Sequence, residues 1–529
     1  MSRRTGAELR RTLIAAGRRG RPNTALHVTG IALVFVAAGM AVTTLVELGS
    51  TNVDTSAMAV STLIAGTLGL AMWWFTAAGS VRTRAVFAAV GWTWVIVTLV
   101  GSLPYVLAGT FATDGVGFVE QVVNSVFESS SGYSCTGSTA LLDFEGPGRG
   151  LMLYRQLTQW YGGMGIVVLA VAVLPFLGVG GLDLISAEAP GPSSDRLTPR
   201  VSETAKRLWL IYIGYTAAVA VALFVVPGPS FYDGIAHGLT TASTGGFSPY
   251  GASIGHYDSL VVELVIVAGM IIGGANFALH WQALTGDRGA HRRDAEFRTY
   301  LTVLAAAALL ITWFLWASDG LGFGTSLRAG LFNAVSLGTS TGFGNATEPG
   351  SPGDFVVWAS AAQIVLLCLF VVGGSTGSTS GGIKVMRVQV LFGHALRAVR
   401  RSEQPRAVIP VKHGHRAVAE DIVARMAGFF LLYLLLVLLG IVLVTGLGGD
   451  LETSIGAVIG SLGNMGPALN EAGPTASFSD AFSQPARLVL AAFMLIGRLE
   501  IFPMLLMFAA PLRAAGDRRR QAQAAFSSS

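Results

Sequence analysis

Four short polar stretches carry the residue types that can do chemistry in this chain. They are Cys135-Thr136-Gly137-Ser138, Ser243-Thr244-Gly245-Gly246, Ser340-Thr341-Gly342-Phe343-Gly344 and Asn464-Met465-Gly466-Pro467. Gly137, Gly245, Gly342 and Gly466 stand 108, 97 and 124 residues apart, and each stretch follows a short amphipathic segment and precedes a long apolar run. Such loops offer backbone carbonyls, and rings of carbonyls replace the water shell of a cation in a pore. Glycine supplies the positive φ that can turn a carbonyl toward an axis. A short helix ending ahead of each loop would aim its partial negative charge at the same place. A single Gly and Ser/Thr loop reads equally well as a device for close helix packing. Four of them at similar spacing, each after a half-span, predict four loops meeting on one axis.

Two further stretches are chemically unusual. Gly373-Gly374-Ser375-Thr376-Gly377-Ser378-Thr379-Ser380-Gly381-Gly382 interrupts an apolar run, and a helical pattern resumes over Ile383–Arg401. Each glycine costs a helix about 1 kcal/mol relative to alanine, so the run predicts a broken helix with a polar loop at membrane depth. Below a filter, that loop would act as a gate; the plainer alternative is an interhelical linker. Arg498, in Gly497-Arg498-Leu499-Glu500-Ile501-Phe502, is a cation in the last apolar run. A charge there is expensive and faces a bundle interior or an aqueous cavity, as an electrostatic barrier or as a structural partner of carbonyls. Glu500, two residues on, does not share its helix face.

The elements that must position these residues follow from composition. Of 529 residues, 52% are hydrophobic and 12% charged, with a mean hydropathy of +0.60. A soluble domain carries about 25% charged residues, so the chain reads as an all-α polytopic membrane protein. A basic arm (1–24) leads into an accessory pair of spans (25–80), near 25–48 and 57–79. Four repeats follow, over 81–182, 183–285, 286–402 and 403–513, with a tail at 514–529. Their expected parts are a span, a short helix, a loop and a second span: 84–108, 119–134 and 151–178; 206–227, 230–242 and 259–284; 299–317, 327–339 and a span from 354; 421–446, 452–463 and 486–512. The short segments are too brief to cross a bilayer and read as re-entrant, which is tolerated only beside protein or a water-filled cavity.

Charge orients this arrangement. About 30 of the 35 Lys and Arg fall in segments placed on one side, the exceptions being Arg149, Arg155, Arg328, Arg487 and Arg498. The positive-inside rule puts that side, with both termini, in the cytoplasm. Outer loops hold Asp114, Asp143, Glu145, Asp319, Glu348, Asp354, Asp450 and Glu471, as a cation-concentrating mouth or as solvated loop charges. The two cysteines, Cys135 and Cys368, predict no disulfide, and Cys135 is expected to line the filter within reach of an external thiol reagent. No P-loop or His-Glu-x-x-His motif is present, and no Ser/His/Asp grouping stands out, which argues against an enzyme. The basic inner segments such as Arg397–Arg416 fit a partner or anionic membrane lipid, not nucleic acid.

At Gln159-Trp160-Tyr161-Gly162-Gly163-Met164-Gly165, Gly273-Gly274-Ala275-Asn276-Phe277-Ala278-Leu279-His280, Ser378-Thr379-Ser380-Gly381-Gly382-Ile383-Lys384 and Gly497-Arg498-Leu499-Glu500-Ile501-Phe502, the chain resembles the Trk/Ktr/HKT superfamily of potassium transporters, nearest its bacterial Trk branch. The resemblance covers nearly the whole sequence. It implies four membrane–pore-helix–membrane repeats around one pore, plus the two N-terminal transmembrane helices. Gly137, Gly245, Gly342 and Gly466 would be the filter glycines, flanked by Cys135, Thr136, Ser243, Thr244, Ser340, Thr341, Asn464 and Met465. Serine at the first of these positions accompanies sodium transport in some plant relatives; glycine at 137 favours potassium. The intramembrane gating loop would be Gly373–Gly382 with Lys384, and the pore-facing arginine Arg498. The resemblance further implies potassium as the transported ion with no bound organic cofactor, a homodimer, a cytoplasmic ring of nucleotide-binding regulatory subunits, and a bacterial inner membrane. Met465-Gly466 departs from the Thr-Gly pattern. A sodium-permeable or cation-coupled transporter on the same scaffold is the first alternative, and a membrane-embedded enzyme the second.

Overall fold

The computed structural model describes residues 21–49, 54–77, 83–112, 115–165, 201–414, 416–501 and 504. The basic arm before residue 21, the expected continuation of the first repeat's second span to 178, the segment 166–200 and the tail after 504 lie outside the described residues. The regular secondary structure among the described residues is helical apart from two pairs of two-residue strands, and loops connect the helices.

The accessory pair is α1 (Thr24–Glu47) and α2 (Thr55–Phe75). Asn23 starts α1 by accepting the Leu26 N–H at 3.2 Å. The first repeat has α3 (Thr83–Gly101), a short helical extension (Leu103–Ala108), the pore helix α4 (Phe118–Ser134) and α5 (Arg149–Met164). The second has α6 (Val201–Val225), the pore helix α7 (Phe231–Ala242), α8 (Leu260–Gly273) and α9 (Phe277–Leu284). The third has α10 (Ala295–Ala317), the pore helix α11 (Phe323–Gly338), α12 (Ser360–Val372) and α13 (Val385–Glu403). The fourth has α14 (Glu420–Gly446), the pore helix α15 (Leu451–Gly463) and α16 (Gln484–Arg498). Capping fixes where the pore helices begin. Ser230 and Asp233 form a reciprocal box at α7, and Asp450 accepts the Thr453 N–H at α15.

Six helices among the described residues are long and apolar enough to cross a membrane, and α8 and α9 together are apolar enough for a further span but are bent by 97°. The second span expected over 259–284 is therefore corrected to a bent pair; that expected over 486–512 is helical to Arg498, and most of its remainder lies outside the described residues. The second helix of every repeat stops at one level: at Met164–Gly165, Gly273–Asn276, Val372–Gly373 and Arg498–Ile501. The causes are local. Asn276 accepts the Ala278 N–H at 2.8 Å and starts a new helix. Gly165 and Gly373 adopt φ of 71° and 68°, and Glu500 and Ile501 are held at 56° and 62°. Three of these breaks fall inside the stretches that carry the family resemblance, and the third-repeat stretch, Ser378–Lys384, closes the gap between the break at Gly373 and α13.

Polar contacts order the repeats around an axis. Arg155 on α5 donates to the Ser248 carbonyl at 2.9 Å, joining repeats one and two. Arg328 on α11 meets Glu263 on α8 at 2.8 Å, joining two and three. Arg487 on α16 meets Glu120 on α4 at 2.6 Å, joining four and one. The seam between three and four combines an apolar patch, Leu366, Leu369 and Phe370 against Met465 and Leu469, with the ion pair of Arg387 and Glu500 at 2.5 Å.

Arg155 and Glu128 form a pair at 2.6 Å, with side chains 3% and 1% exposed. Glu128 also accepts from Thr139 and the Ala140 N–H, and the guanidinium covers the Phe247 ring at 3.5 Å. Removing one partner of a buried pair costs about 3–5 kcal/mol because the other charge stays buried. Arg155→Met is expected to destabilise the detergent-solubilised protein by that order, read as a lowered thermal unfolding midpoint, and Glu128→Gln in the same chain to recover much of the loss. An unchanged midpoint in the single variant would show the pair to be unimportant.

Candidate functional site

The four loops begin alike. Cys135, Thr244, Ser340 and Asn464 have φ of 55°, 50°, 56° and 52°. The next residue in each donates its N–H to a carbonyl five back: Thr136 to Ser131, Gly245 to Thr240, Thr341 to Ser336 and Met465 to Gly460. The residue after that is Gly137, Gly246, Gly342 or Gly466. The first three of these have φ of 91°, 83° and 83°, which only glycine takes without strain. This corrects the reading of the second loop. Sequence matching aligned Ser243-Thr244-Gly245 with the other loops, but the backbone aligns Thr244-Gly245-Gly246. Phe247 then corresponds to Phe343, and the misleading signal was the repeated Ser-Thr-Gly spelling.

The loops close on one another in sequence order. A Cβ built on Gly137 would strike the Gly245 carbonyl, and one on Gly246 would strike that of Thr341. One on Gly342 would lie 2.9 Å from the Gly466 nitrogen, and one on Gly466 would lie 3.0 Å from the Gly137 carbonyl oxygen. Ser138 donates to the Gly466 carbonyl at 2.7 Å, and Asn464 to the Thr136 hydroxyl at 3.2 Å. Gly137, Gly246, Gly342 and Pro467 line a single cavity on one side of this ring, with Arg155, Ser248 and Tyr250 at its wall.

Among the described residues, the carbonyls of Thr136, Gly137, Thr244, Gly246, Thr341, Gly342 and Met465 accept no hydrogen bond. Thr136, Thr244, Thr341 and Met465 are at most 1% exposed. Buried carbonyls need a partner, so the ring calls for water or a cation at its centre. The Cys135 side chain takes no part. Its thiol donates to the Gln159 carbonyl at 3.0 Å behind the loop and is buried, which corrects the expectation of an externally reachable thiol.

Beneath the ring sits the Gly/Ser segment. The Thr379 hydroxyl lies 3.1 Å from that of Thr244 and 3.2 Å from the Ala242 and Gly273 carbonyls. Ser380 donates to the Thr339 carbonyl at 2.7 Å, and the Gly381 N–H to the Ser340 hydroxyl at 2.6 Å. A side chain at Gly381 would strike Gly463 and Asn464. The segment thus touches loops two, three and four from below.

Its ends are anchored. Ser375 and Gly377 bond the break in repeat two, through the Gly274 carbonyl at 2.9 Å and the Phe277 N–H at 3.1 Å. Glu296 accepts the N–H groups of Thr376 at 2.6 Å and Met386 at 3.1 Å. Gly373, Gly374 and Gly382 pack where backbones touch, and Ser378 bonds back to Ser375. Lys384 donates to the Ser380 carbonyl.

Arg498 closes the circle on repeat one. Its guanidinium donates to the Thr379 carbonyl at 2.8 Å and to those of Gly162 and Gly163 at 2.5 and 2.9 Å. These contacts are those of a structural partner of carbonyls. Glu500 turns to Arg387 on α13 at 2.5 Å, and Arg387 also covers the Phe429 ring at 4.4 Å. The sequence reading missed Glu296, Arg387, Glu128 and Arg155 as parts of this site. Each is an ionisable residue at the edge of an apolar run, which is the signal that marks such positions.

A family model described as a cation transport protein, TrkH, matches residues 55–515. The Trk system potassium uptake protein TrkH of Salmonella typhimurium is 36% identical over 450 residues, covering 84% of this chain and 89% of that protein. The protein of the same name from Halomonas elongata is 39% identical over 429 residues, covering 81% and 85%. A solved structure of the potassium transporter TrkH from Vibrio parahaemolyticus superimposes with a TM-score of 0.79 at 31% identity, covering 92% of this chain and 98% of that one. This chain is a multi-pass membrane protein and belongs to the TrkH family of cation transport proteins.

Proposed function

We propose that this chain is the ion-conducting subunit of a potassium uptake system in a bacterial inner membrane, with both termini cytoplasmic. The observation that carries the reading is the ring of four loops with its unpartnered, buried carbonyls. Potassium, stripped of water, takes the place of the missing hydrogen-bond donors as it passes. The C-terminal ends of the pore helices meet the same loops and add negative potential. Outer acidic side chains raise the local cation concentration. Relatives bearing the potassium uptake name cover most of the chain, which supports the choice of ion.

The Gly/Ser segment and Arg498 form the closed gate on this reading. The segment fills the space below the loops, and the guanidinium places a fixed positive charge in the path. Opening requires the segment to leave three loops together, and a cytoplasmic nucleotide-binding ring docked on the basic inner surface supplies the work. A homodimer is the expected assembly.

Rubidium uptake into proteoliposomes, with excess potassium or sodium as competitor, tests the filter. Wild-type uptake is expected to fall with potassium and not with sodium. Gly137→Ser and Gly246→Ser are both expected to relax this preference, because each forces a side chain into the ring. Sodium competing as well as potassium in the wild type would replace the reading with a sodium-permeable pore.

Excision of Ser375–Ser378, and separately Arg498→Ala, tests the gate. Excision removes the bonds that anchor the segment to the repeat-two break and to Glu296, and Arg498→Ala removes the bond to the Thr379 carbonyl. Uptake without any partner is expected to rise roughly tenfold or more, since a bond to a charged group is worth about 1.5–3 kcal/mol. Unchanged uptake in both variants would make the segment a linker.

A further inference from the structure

Resting on that reading of the ring as a potassium filter, we infer that Gln159 is a positioning residue that sets its selectivity by holding the second loop from behind. Gln159 lies on α5 in repeat one and is fully buried. Its amide N–H donates to the Gly245 carbonyl at 2.5 Å, and its amide oxygen accepts the Phe247 N–H at 3.0 Å. Both ends of the side chain are thus spent on the residues either side of Gly246. The clamp fixes two peptide groups flanking a glycine held at φ 83°.

The other loops are held differently. Ser131 accepts the Gly137 N–H at 3.0 Å, Ser336 donates to the Phe343 carbonyl at 2.7 Å, and Asn464 donates to the Met494 carbonyl at 2.7 Å. In each of these the helper belongs to the same repeat as the loop. Gln159 reaches across a repeat boundary and holds the peptide groups on both sides of the loop glycine.

The consequence is a difference between equivalent carbonyls. Gly245 corresponds in backbone register to Thr136, Thr341 and Met465. Those three carbonyls accept no hydrogen bond among the described residues, whereas that of Gly245 is bonded to Gln159. An amide donor withdraws electron density from the carbonyl and ties it toward α5. The level therefore presents three unbonded oxygens and one restrained one. Cation discrimination depends on the number and field strength of the carbonyls that coordinate the ion, so the clamp acts on that quantity.

The clamp also accounts for glycine at 245. Its φ is not positive, so the backbone does not demand glycine. A Cβ there would lie 2.9 Å from the Gln159 Cβ and would strike the amide. Gly245 leaves room for the clamp, and Gly246 is the glycine that the loop conformation requires.

The test compares wild type with Gln159→Leu, Gln159→Glu and Gly245→Ala. Leu removes both bonds, Glu keeps the acceptor for Phe247 but sets a carboxylate against the Gly245 carbonyl, and Ala pushes the amide away. Two ratios are read: potassium against sodium as competitor of rubidium uptake in proteoliposomes, and potassium against sodium concentration for half-maximal thermal stabilisation in detergent. The second needs no open gate. The potassium preference is expected to fall roughly tenfold in each folded variant, the size of one buried carbonyl left unsatisfied. A purely structural role would lower the unfolding temperature without moving either ratio, and unchanged ratios would overturn the inference. So would failure of all three variants to fold, which would make Gln159 a residue of assembly. No ion preference in the wild type would overturn the filter reading itself, and the inference with it.

Discussion

The structure depends on one electrostatic demand: backbone carbonyls buried at the centre of the chain with no donor to satisfy them. Thr136, Thr341 and Met465 are enclosed by protein, and a carbonyl left unpaired in such a place costs free energy comparable to a lost hydrogen bond. Everything around the ring keeps those carbonyls in place and keeps competing donors away. The pore helices stop before the loops and do not continue through them. Several serine and threonine hydroxyls turn back onto the helices that carry them, as Ser130, Thr240 and Ser243 do. The lipid-facing surface stays apolar, because exposed irregular backbone cannot survive in a bilayer.

The same logic explains why the second helix of every repeat breaks beneath its loop. An unbroken helix there would offer the cavity only side chains. A broken one exposes carbonyls, such as those of Gly162, Gly163 and Gly273, and these hold Arg498 and Thr379. The desolvation of a guanidinium is offset by three charge-assisted bonds. Glu500 does not neutralise Arg498, since it serves Arg387. The positive charge under the ring is therefore solvated by peptide dipoles and keeps its field.

Much of this was legible in the sequence because it is written in residue types. Four glycine-bearing loops after half-spans, a ten-residue Gly/Ser/Thr run and an arginine in an apolar segment are compositional signals, and the element order followed from them. The register of the second loop was not legible. Ser243-Thr244-Gly245 and Ser340-Thr341-Gly342 are spelled alike, but the turn is set by which residue takes positive φ, and Thr244 and Ser340 do so one letter apart in that alignment. The breaks at Gly273 and Arg498 were hidden for a related reason. Apolar residues continue past them, and hydropathy does not register a change of direction. Pairings such as Glu296 with Thr376 and Met386 join residues 80 and 90 positions apart, which no local pattern encodes.

Carrying all four repeats on one polypeptide has a consequence of its own. A ring built from four separate subunits must use one surface four times, so any change is copied to every quarter. Here the boundaries differ: one is joined through Arg155 and Ser248, one by Arg328 and Glu263, one by Arg487 and Glu120, and one by an apolar patch together with Arg387 and Glu500. Covalent linkage also removes dilution as a threat, because the quarters face one another at an effective concentration that does not depend on how much protein the membrane holds. The chain can then weaken a single boundary, or attach a single moving part to a single quarter, without losing the closed ring.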